Sequence, residues 1–233
     1  MPGPEVAMIR RIPIVLVVVL ILSFATSVDA KRAFEIADYY RTAFVGSPVV
    51  SPDGATVVFS VQRYELESGT SWSEIWAMAA DGENLRQLTR GRHHDSSPIF
   101  SPDGSALAFL SSRDEDASQV YLLPMSGGEA RRLTSFPGGV STPVWSPDGA
   151  HMAVTAEVYP ECGSDADCNR SIRQSVDEGP LAAHMTDELL FRHWNIWREG
   201  RYSHVLLIDA GSGDAVRDLT PGRWDSPTFA MPR

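Results

Sequence analysis

Two cysteines, six histidines and a scatter of serines and acids are the groups through which this 233-residue chain could do chemistry. Cys162 and Cys168 stand close together in a Gly/Asp-rich loop, Glu161-Cys162-Gly163-Ser164-Asp165-Ala166-Asp167-Cys168. In a chain whose first residues direct export, a local disulfide is the default for such a pair. A metal site would need more ligands than two thiols. His184 and His193 follow, but their spacing matches no zinc pattern, so no metal and no cofactor is expected. Acyl-transfer chemistry lacks its signature as well. A nucleophile elbow reads Gly-x-Ser-x-Gly on a strand-to-helix turn, and that string occurs nowhere in the sequence. The serines, histidines and aspartates form no triad that spacing supports, so no catalytic residue is expected.

Many of the remaining serines and aspartates belong to a repeat. Ser-Pro-Asp-Gly occurs at Ser51 to Gly54, Ser101 to Gly104 and Ser146 to Gly149, at intervals of 50 and 45 residues. Each copy follows a proline and two apolar residues: Pro48-Val49-Val50, Pro98-Ile99-Phe100 and Pro143-Val144-Trp145. Each is also followed by a Gly-acid step (Gly82-Glu83, Gly128-Glu129, Gly213-Asp214), an arginine (Arg86, Arg131, Arg217) and a Leu-Thr pair (Leu88-Thr89, Leu133-Thr134, Leu219-Thr220). In Ser-Pro-Asp-Gly the proline presets φ, the aspartate tolerates the next turn position, and the glycine takes the positive φ that closes a hairpin. These serines and aspartates are therefore expected to form turns, without chemistry.

Strands are expected after each turn, at Thr56 to Val61, Ala106 to Leu110 and His151 to Thr155. Further strands follow at Glu74 to Met78, Gln119 to Leu123 and Ser203 to Ile208, with a fourth at each Leu-Thr pair. Four short strands per repeat of this length make a β-propeller blade. The fold expected is all-β: a partial propeller with blades at about 46–97, 98–142 and 143–226, preceded by a lead-in at 31–45. A fourth copy begins at Pro227-Thr228-Phe229 and then loses the pattern. Three blades do not close a propeller, so this chain is expected to be the front portion of a longer protein or to assemble with copies of itself through open edges.

The first thirty residues are a different object. Arg10 and Arg11 precede an apolar run from Ile12 to Leu22, and Val28-Asp29-Ala30 supplies small residues where a signal peptidase cuts. A signal peptide over 1–30 is the expectation; an uncleaved anchor is the weaker alternative, because the apolar run falls short of the ~20 residues a span needs. Met8 is a more natural start than Met1. The net charge of −10 is unchanged by removing the leader, and it gives no electrostatic case for nucleic acid or anionic lipid.

The third repeat is interrupted. From the serine of the turn to the Leu-Thr pair the copies run 37, 32 and 73 residues, which places an insert at about 159–201. Function tends to sit in such an insert, because the regular blades already solve the packing problem. Its stretch Asn169 to Gly179 is polar and reads as helix or disorder, and Thr186 is a helix N-cap with acids behind it. Leu189, Leu190, Phe191, Trp194 and Trp197 supply an apolar docking surface or core packing.

Taken in order, the Ser-Pro-Asp-Gly repeats, Glu157-Val158-Tyr159-Pro160, the cysteine loop, Asp187-Glu188-Leu189-Leu190-Phe191-Arg192-His193-Trp194, Ser203-His204-Val205 and Asp218-Leu219-Thr220-Pro221-Gly222 carry a resemblance. Together they resemble the N-terminal propeller of secreted bacterial serine peptidases of the prolyl oligopeptidase family, in the acylaminoacyl-peptidase and dipeptidyl-peptidase branch. The resemblance implies a propeller that filters peptide substrates by size and helps hold their amino-terminal end, with catalysis in a separate α/β-hydrolase domain. It also makes Glu157, Asp187 and Glu188 candidates to pair with a peptide ammonium, through a charge-assisted bond that selects a free N-terminus. Their alternative roles are a solvated strand end and the first turn of a helix. The competing reading is a periplasmic TolB-like propeller that serves as a protein-binding scaffold. An exported chain should begin at Lys31, and amino-terminal sequencing of the secreted protein checks this; any other first residue removes the cleavage assignment.

Overall fold

Proline at the second position and glycine at the fourth turn the chain back on itself three times in the same way. In this computed structural model, which describes residues 32–114, 117–180, 192–193 and 196–226, the Gly54, Gly104 and Gly149 amides each donate to the carbonyl of the turn's serine at 2.9 Å. Those glycines have φ of 74, 72 and 71°, a region that a side chain disfavours. Each serine hydroxyl donates to its aspartate at 2.5, 2.6 and 2.5 Å. It also accepts the amide that starts the next strand, at 2.9, 3.0 and 2.9 Å. Each aspartate accepts the amide of the residue after the glycine at 3.0 Å. The signature is thus a closed hydrogen-bond unit.

The chain divides into two compact units, 1–39 and 40–233. In the described part of the first, Arg32 pairs with Asp38 at the start of α1 (Ile36–Arg41). The second consists of antiparallel blades. Blade one is β1 (Phe44–Val50), β2 (Thr56–Glu65), β3 (Thr70–Ala79) and β4 (Arg86–Gln87), and blade two is β5 (Asp95–Phe100), β6 (Ala106–Ser111), β7 (Gln119–Pro124) and β8 (Arg131–Arg132). Blade three opens with β9 (Ser141–Trp145) and β10 (His151–Val158). The insert follows, with α2 (Ala166–Asp177) and a small ladder of β11 (Arg192–His193) and β12 (Ile196–Trp197), and then β13 (Tyr202–Asp209) and β14 (Ala215–Asp218) complete the blade. Each blade runs in the order first, second, third, fourth strand from one edge to the other.

The fourth strands end just before the Leu-Thr pairs rather than on them, and the threonine explains why. Thr89, Thr134 and Thr220 Oγ1 accept the amides of Ile75, Val120 and Val205 at 2.9 Å, while the preceding leucine amides donate to the carbonyls of the same three residues. A side-chain oxygen has replaced a backbone carbonyl in the ladder, so the strand terminates with its neighbour's amide satisfied.

The blades stack face to face. Val58, Ile75 and Ala77 of blade one pack with Leu107, Phe109, Tyr121 and Leu123 of blade two, and Ala108, Leu110, Val120 and Leu122 of blade two pack with Met152, Val154, Leu206 and Ile208 of blade three. Blade two is buried on both faces, which is why β6 and β7 read as unbroken apolar runs. The first strands lie beside one another, β1 against β5 and β5 against β9. Each carries a bulge at a residue of positive φ before its proline: Ser47 (49°), Ser97 (51°) and Thr142 (45°).

The turn carboxylates make the fold acid-sensitive. The serine hydroxyl, followed by the backbone amide, holds Asp53 and Asp148 below the usual carboxylate range and lowers Asp103 to about 2. A carboxylate depressed in the folded state stabilises it above the unfolded value of about 3.9 and loses that contribution as pH falls through the folded value. The urea midpoint should therefore be steady above about pH 5 and drop steadily toward about pH 2. A midpoint that is flat over that interval would contradict the turn assignment.

Candidate functional site

Because strands alternate in direction, the three Ser-Pro-Asp-Gly turns gather at one end of the blade stack. The other end collects the starts of the first strands, the ends of the second and the starts of the third. The insert joins β10 to β13 at this second end. The blades are tied to each other there. Ser73 of β3 donates its amide to His93 O at 3.1 Å and its hydroxyl to Asp95 O at 2.8 Å, and the Val140 amide donates to Ser118 O at 2.8 Å.

The cysteine loop is folded by a side chain that the sequence did not single out. Cys162 and Cys168 form a disulfide with Cα atoms 5.5 Å apart. Buried Asn169 sits at the centre: its Oδ1 accepts the Tyr159 amide at 2.8 Å, and its Nδ2 donates to Gly163 O at 3.0 Å and Asp165 O at 2.7 Å. Asp165 caps α2 by accepting the Cys168 amide at 2.9 Å. The polar stretch from Asn169 is thus helical, within a helix that starts inside the disulfide loop.

Glu157 stands where β10 gives way to this loop, with its side chain 56% exposed. Arg201, mostly buried, lies beside it: Nε is 3.4 Å from Glu157 Oε2, close enough for an ion pair without being a hydrogen bond, and Nη2 is 3.5 Å from Glu199 Oε2. Nη2 also donates to Trp197 O at 3.1 Å. Both carboxylates thus share the Arg201 guanidinium. The neighbouring Tyr159 hydroxyl is buried without a hydrogen-bond partner among the described residues, and burial raises its pKa. Glu157 also lines a groove of about 410 Å³ with Ser118, Ser141, Thr155 and Ser203. Asp187 and Glu188 lie outside the described residues, as do His184, Thr186 and Pro227 to Phe229.

Blade two has its own polar cluster at this end. Asp95 is fully buried, and Arg113 Nη2 donates to both its oxygens at 3.1 and 3.0 Å. Arg113 Nε donates to Ser111 at 2.9 Å, and its guanidinium lies over the ring of Tyr121, 4.7 Å from the centroid. His93 Nε2 is 3.3 Å from Asp95 Oδ2. Tyr121 donates to Asp114, and burial, then this bond, raises its hydroxyl to about 12. This cluster holds the entry of β5 against the end of β6. An acid opening the first strand of the repeat, with an arginine two residues beyond the end of that strand's partner, is the sequence signal that could have found it.

In blade three, buried His204 bridges Asp218 Oδ2 at 2.7 Å and Gly222 O at 2.8 Å. Its second ring nitrogen faces a backbone carbonyl instead of a serine hydroxyl, so this His-Asp pair clasps β13 to the segment after β14 and makes no catalytic dyad. Among the described residues no group of three or more acids, histidines or cysteines could hold a metal ion.

Stacked four-stranded blades with this hairpin are a β-propeller architecture. The TolB beta propeller domain family matches residues 26–173, and the chain belongs to that family. It is similar to dipeptidyl-peptidase 5 of Porphyromonas endodontalis, 26% identical over 164 residues, covering 67% of this chain and 22% of that protein. It is also similar to the Tol-Pal system protein TolB of Anaeromyxobacter dehalogenans, 41% identical over 71 residues, covering 30% of this chain and 14% of that one. Among solved structures, the acylaminoacyl peptidase of Pyrococcus horikoshii superposes with a TM-score of 0.60 at 13% identity, over 78% of this chain and 26% of the peptidase, a likeness of fold. The chain thus spans 14 to 22% of the length of these curated relatives.

Replacing Asn169 by alanine removes three hydrogen bonds and leaves the Tyr159 amide short of a partner, at a cost of about 1–3 kcal/mol. The disulfide should then become accessible to reduction at a lower thiol concentration, read by alkylation and mass. Unchanged stability and unchanged reducibility would mean that Asn169 does not organise the loop.

Proposed function

We propose that this chain is the non-catalytic, substrate-gating propeller portion of an exported serine exo- or oligopeptidase. The observation that carries the reading is the insert: it interrupts one blade among regular ones and brings Glu199 and Arg201 to Glu157, which stands close to the end of β10 and lines a groove of mixed polar and apolar character at the end away from the hairpins. The dipeptidyl-peptidase 5 relative supports it, since that similarity covers 67% of this chain. An exposed carboxylate such as Glu157 at such a rim suits the ammonium of a peptide with a free amino terminus. Arg201 does not oppose this role, because it holds Glu157 in position while more than half of that side chain stays exposed. Asp187 and Glu188 are proposed as further anchors on the same insert. Signal processing after Ala30 and export fit the disulfide.

A second reading is a TolB-like periplasmic scaffold that binds protein partners. It is favoured by the higher identity, 41%, of the TolB segment, although that segment is short.

The test places this propeller in a full-length peptidase relative and replaces Glu157 by alanine, with the Asp187, Glu188 pair as a second variant. Loss of one charge-assisted contact should lower kcat/KM on free-amino peptides by about 10-fold or more and leave N-acylated substrates unchanged. Equal kinetics on both substrate classes would leave the insert as packing only. The isolated chain should take up no fluorophosphonate label, and single-site labelling at a serine would overturn the non-catalytic reading.

A further inference from the structure

Three arginines of the insert are each matched to acids: Arg170 to Asp167, Arg198 to Asp225, and Arg201 to Glu157 and Glu199. Arg173 of α2 is not. It is half-buried, and among the described residues it makes no hydrogen bond and no ion pair, although Asp177 follows one helical turn later. The Tyr159 hydroxyl is near enough for the Arg173 charge to act on it, but it too is without a hydrogen bond. No group of the described protein takes up this guanidinium.

The guanidinium nevertheless has a defined seat. Its Nη1 lies against Gly138, so close that a Cβ there would stand 2.3 Å from it. Gly138 and Gly139 have φ of 79 and 86°. At Gly139 a Cβ would come within 2.7 Å of the Ser118 carbonyl oxygen, which accepts the Val140 amide at 2.8 Å. The second glycine therefore lets the connection between β8 and β9 press against blade two, and the first leaves room for the arginine on it.

Gly138 and Gly139 line the same groove of about 410 Å³ as Glu157. Leu110 and Ser118 reach it from blade two and Ala156 from blade three, so the groove is bounded by blades that are both present. A carboxylate thus belongs to the blade-three side of the groove, and an unmatched guanidinium rests on the connection that bounds the other.

We propose that Arg173 receives a side-chain carboxylate of the bound peptide, so that the groove selects peptides whose free amino terminus is closely followed by glutamate or aspartate. The inference rests on the reading of this groove as a peptide site. The ligand's ammonium falls to Glu157 and its acid to Arg173. A guanidinium offers a carboxylate two parallel N–H donors, and here no internal ion pair has to break first. The chain as a whole, at a net charge of −10, repels acidic ligands, so taking one up requires a local cation of this kind.

The full chain, with its disulfide intact, is titrated calorimetrically with Ala-Glu-Ala-Ala amide and with Ala-Gln-Ala-Ala amide, which differ only in the charged side chain. The glutamate peptide should bind about 10-fold more tightly, the scale of one hydrogen bond to a charged group. Arg173→Gln should bring the two affinities together, and Arg173→Lys, which keeps the charge without the fork, should keep part of the difference. Equal affinities in the unaltered chain, no binding of either peptide, or a glutamate preference that survives Arg173→Gln would each overturn the proposal. Acetylating both peptides separates this inference from the amino-terminal reading. If acetylation leaves binding unchanged, Glu157 does not hold the ammonium, while a glutamate preference that is lost in Arg173→Gln still assigns the acid to Arg173.

Discussion

Phe109 and Leu110 are adjacent in the chain and point to opposite faces of the middle blade, and the packing they make possible fixes where everything else lies. Phe109 enters the cluster with Val58 and Ile75, and Leu110 enters the one with Val154 and Leu206. Full burial of side chains of this size contributes roughly 1.5–3 kcal/mol each, so these two junctions dominate the stability of the blades. The hairpins and the threonine contacts that end the fourth strands would not hold blades together alone, since each satisfies hydrogen bonds within its own sheet. They define the blade, and the apolar alternation stacks it.

That division of labour explains which parts were legible in the sequence. The hairpins were readable because Ser, Pro, Asp and Gly have local conformational preferences that act within four residues, and the strands followed from their alternation. The Leu-Thr pairs were visible as a pattern, but not as the end of a strand, because the threonine acts across the sheet on Ile75, Val120 and Val205. The cysteine pair was correctly read as a local bridge. The asparagine that organises its loop was not, since one Asn among polar residues carries no signal until its three partners are brought together. Arg201 escaped notice for the same reason: it lies 44 residues from Glu157 and meets it only because β10 and β13 are paired. Of the acids singled out from sequence, Glu157 is the one that the described residues place, at the rim and already beside a guanidinium.

The two ends of the stack are chemically unlike. At the hairpin end the acids are spent on their own turns, where each aspartate is held by a serine hydroxyl and a backbone amide and has little left to offer a ligand. At the other end the connections between second and third strands differ in length from blade to blade. Charge there is buried or paired across elements, as in Asp95 with Arg113 and Arg198 with Asp225. Variation at that end does not disturb the junctions, because the alternating faces that make them lie in the strands. An insert can therefore be accepted between β10 and β13 with little cost to packing.

The same logic bears on the bulges. Ser47, Ser97 and Thr142 hold a left-handed backbone conformation that costs on the order of 1–3 kcal/mol where it is not glycine, and Thr142 is β-branched, which makes it the most unfavourable of the three. A repeated cost at one position of each blade needs a repeated return. The bulge twists the inner strand and sets a proline, without an amide, on the edge that would otherwise template another strand.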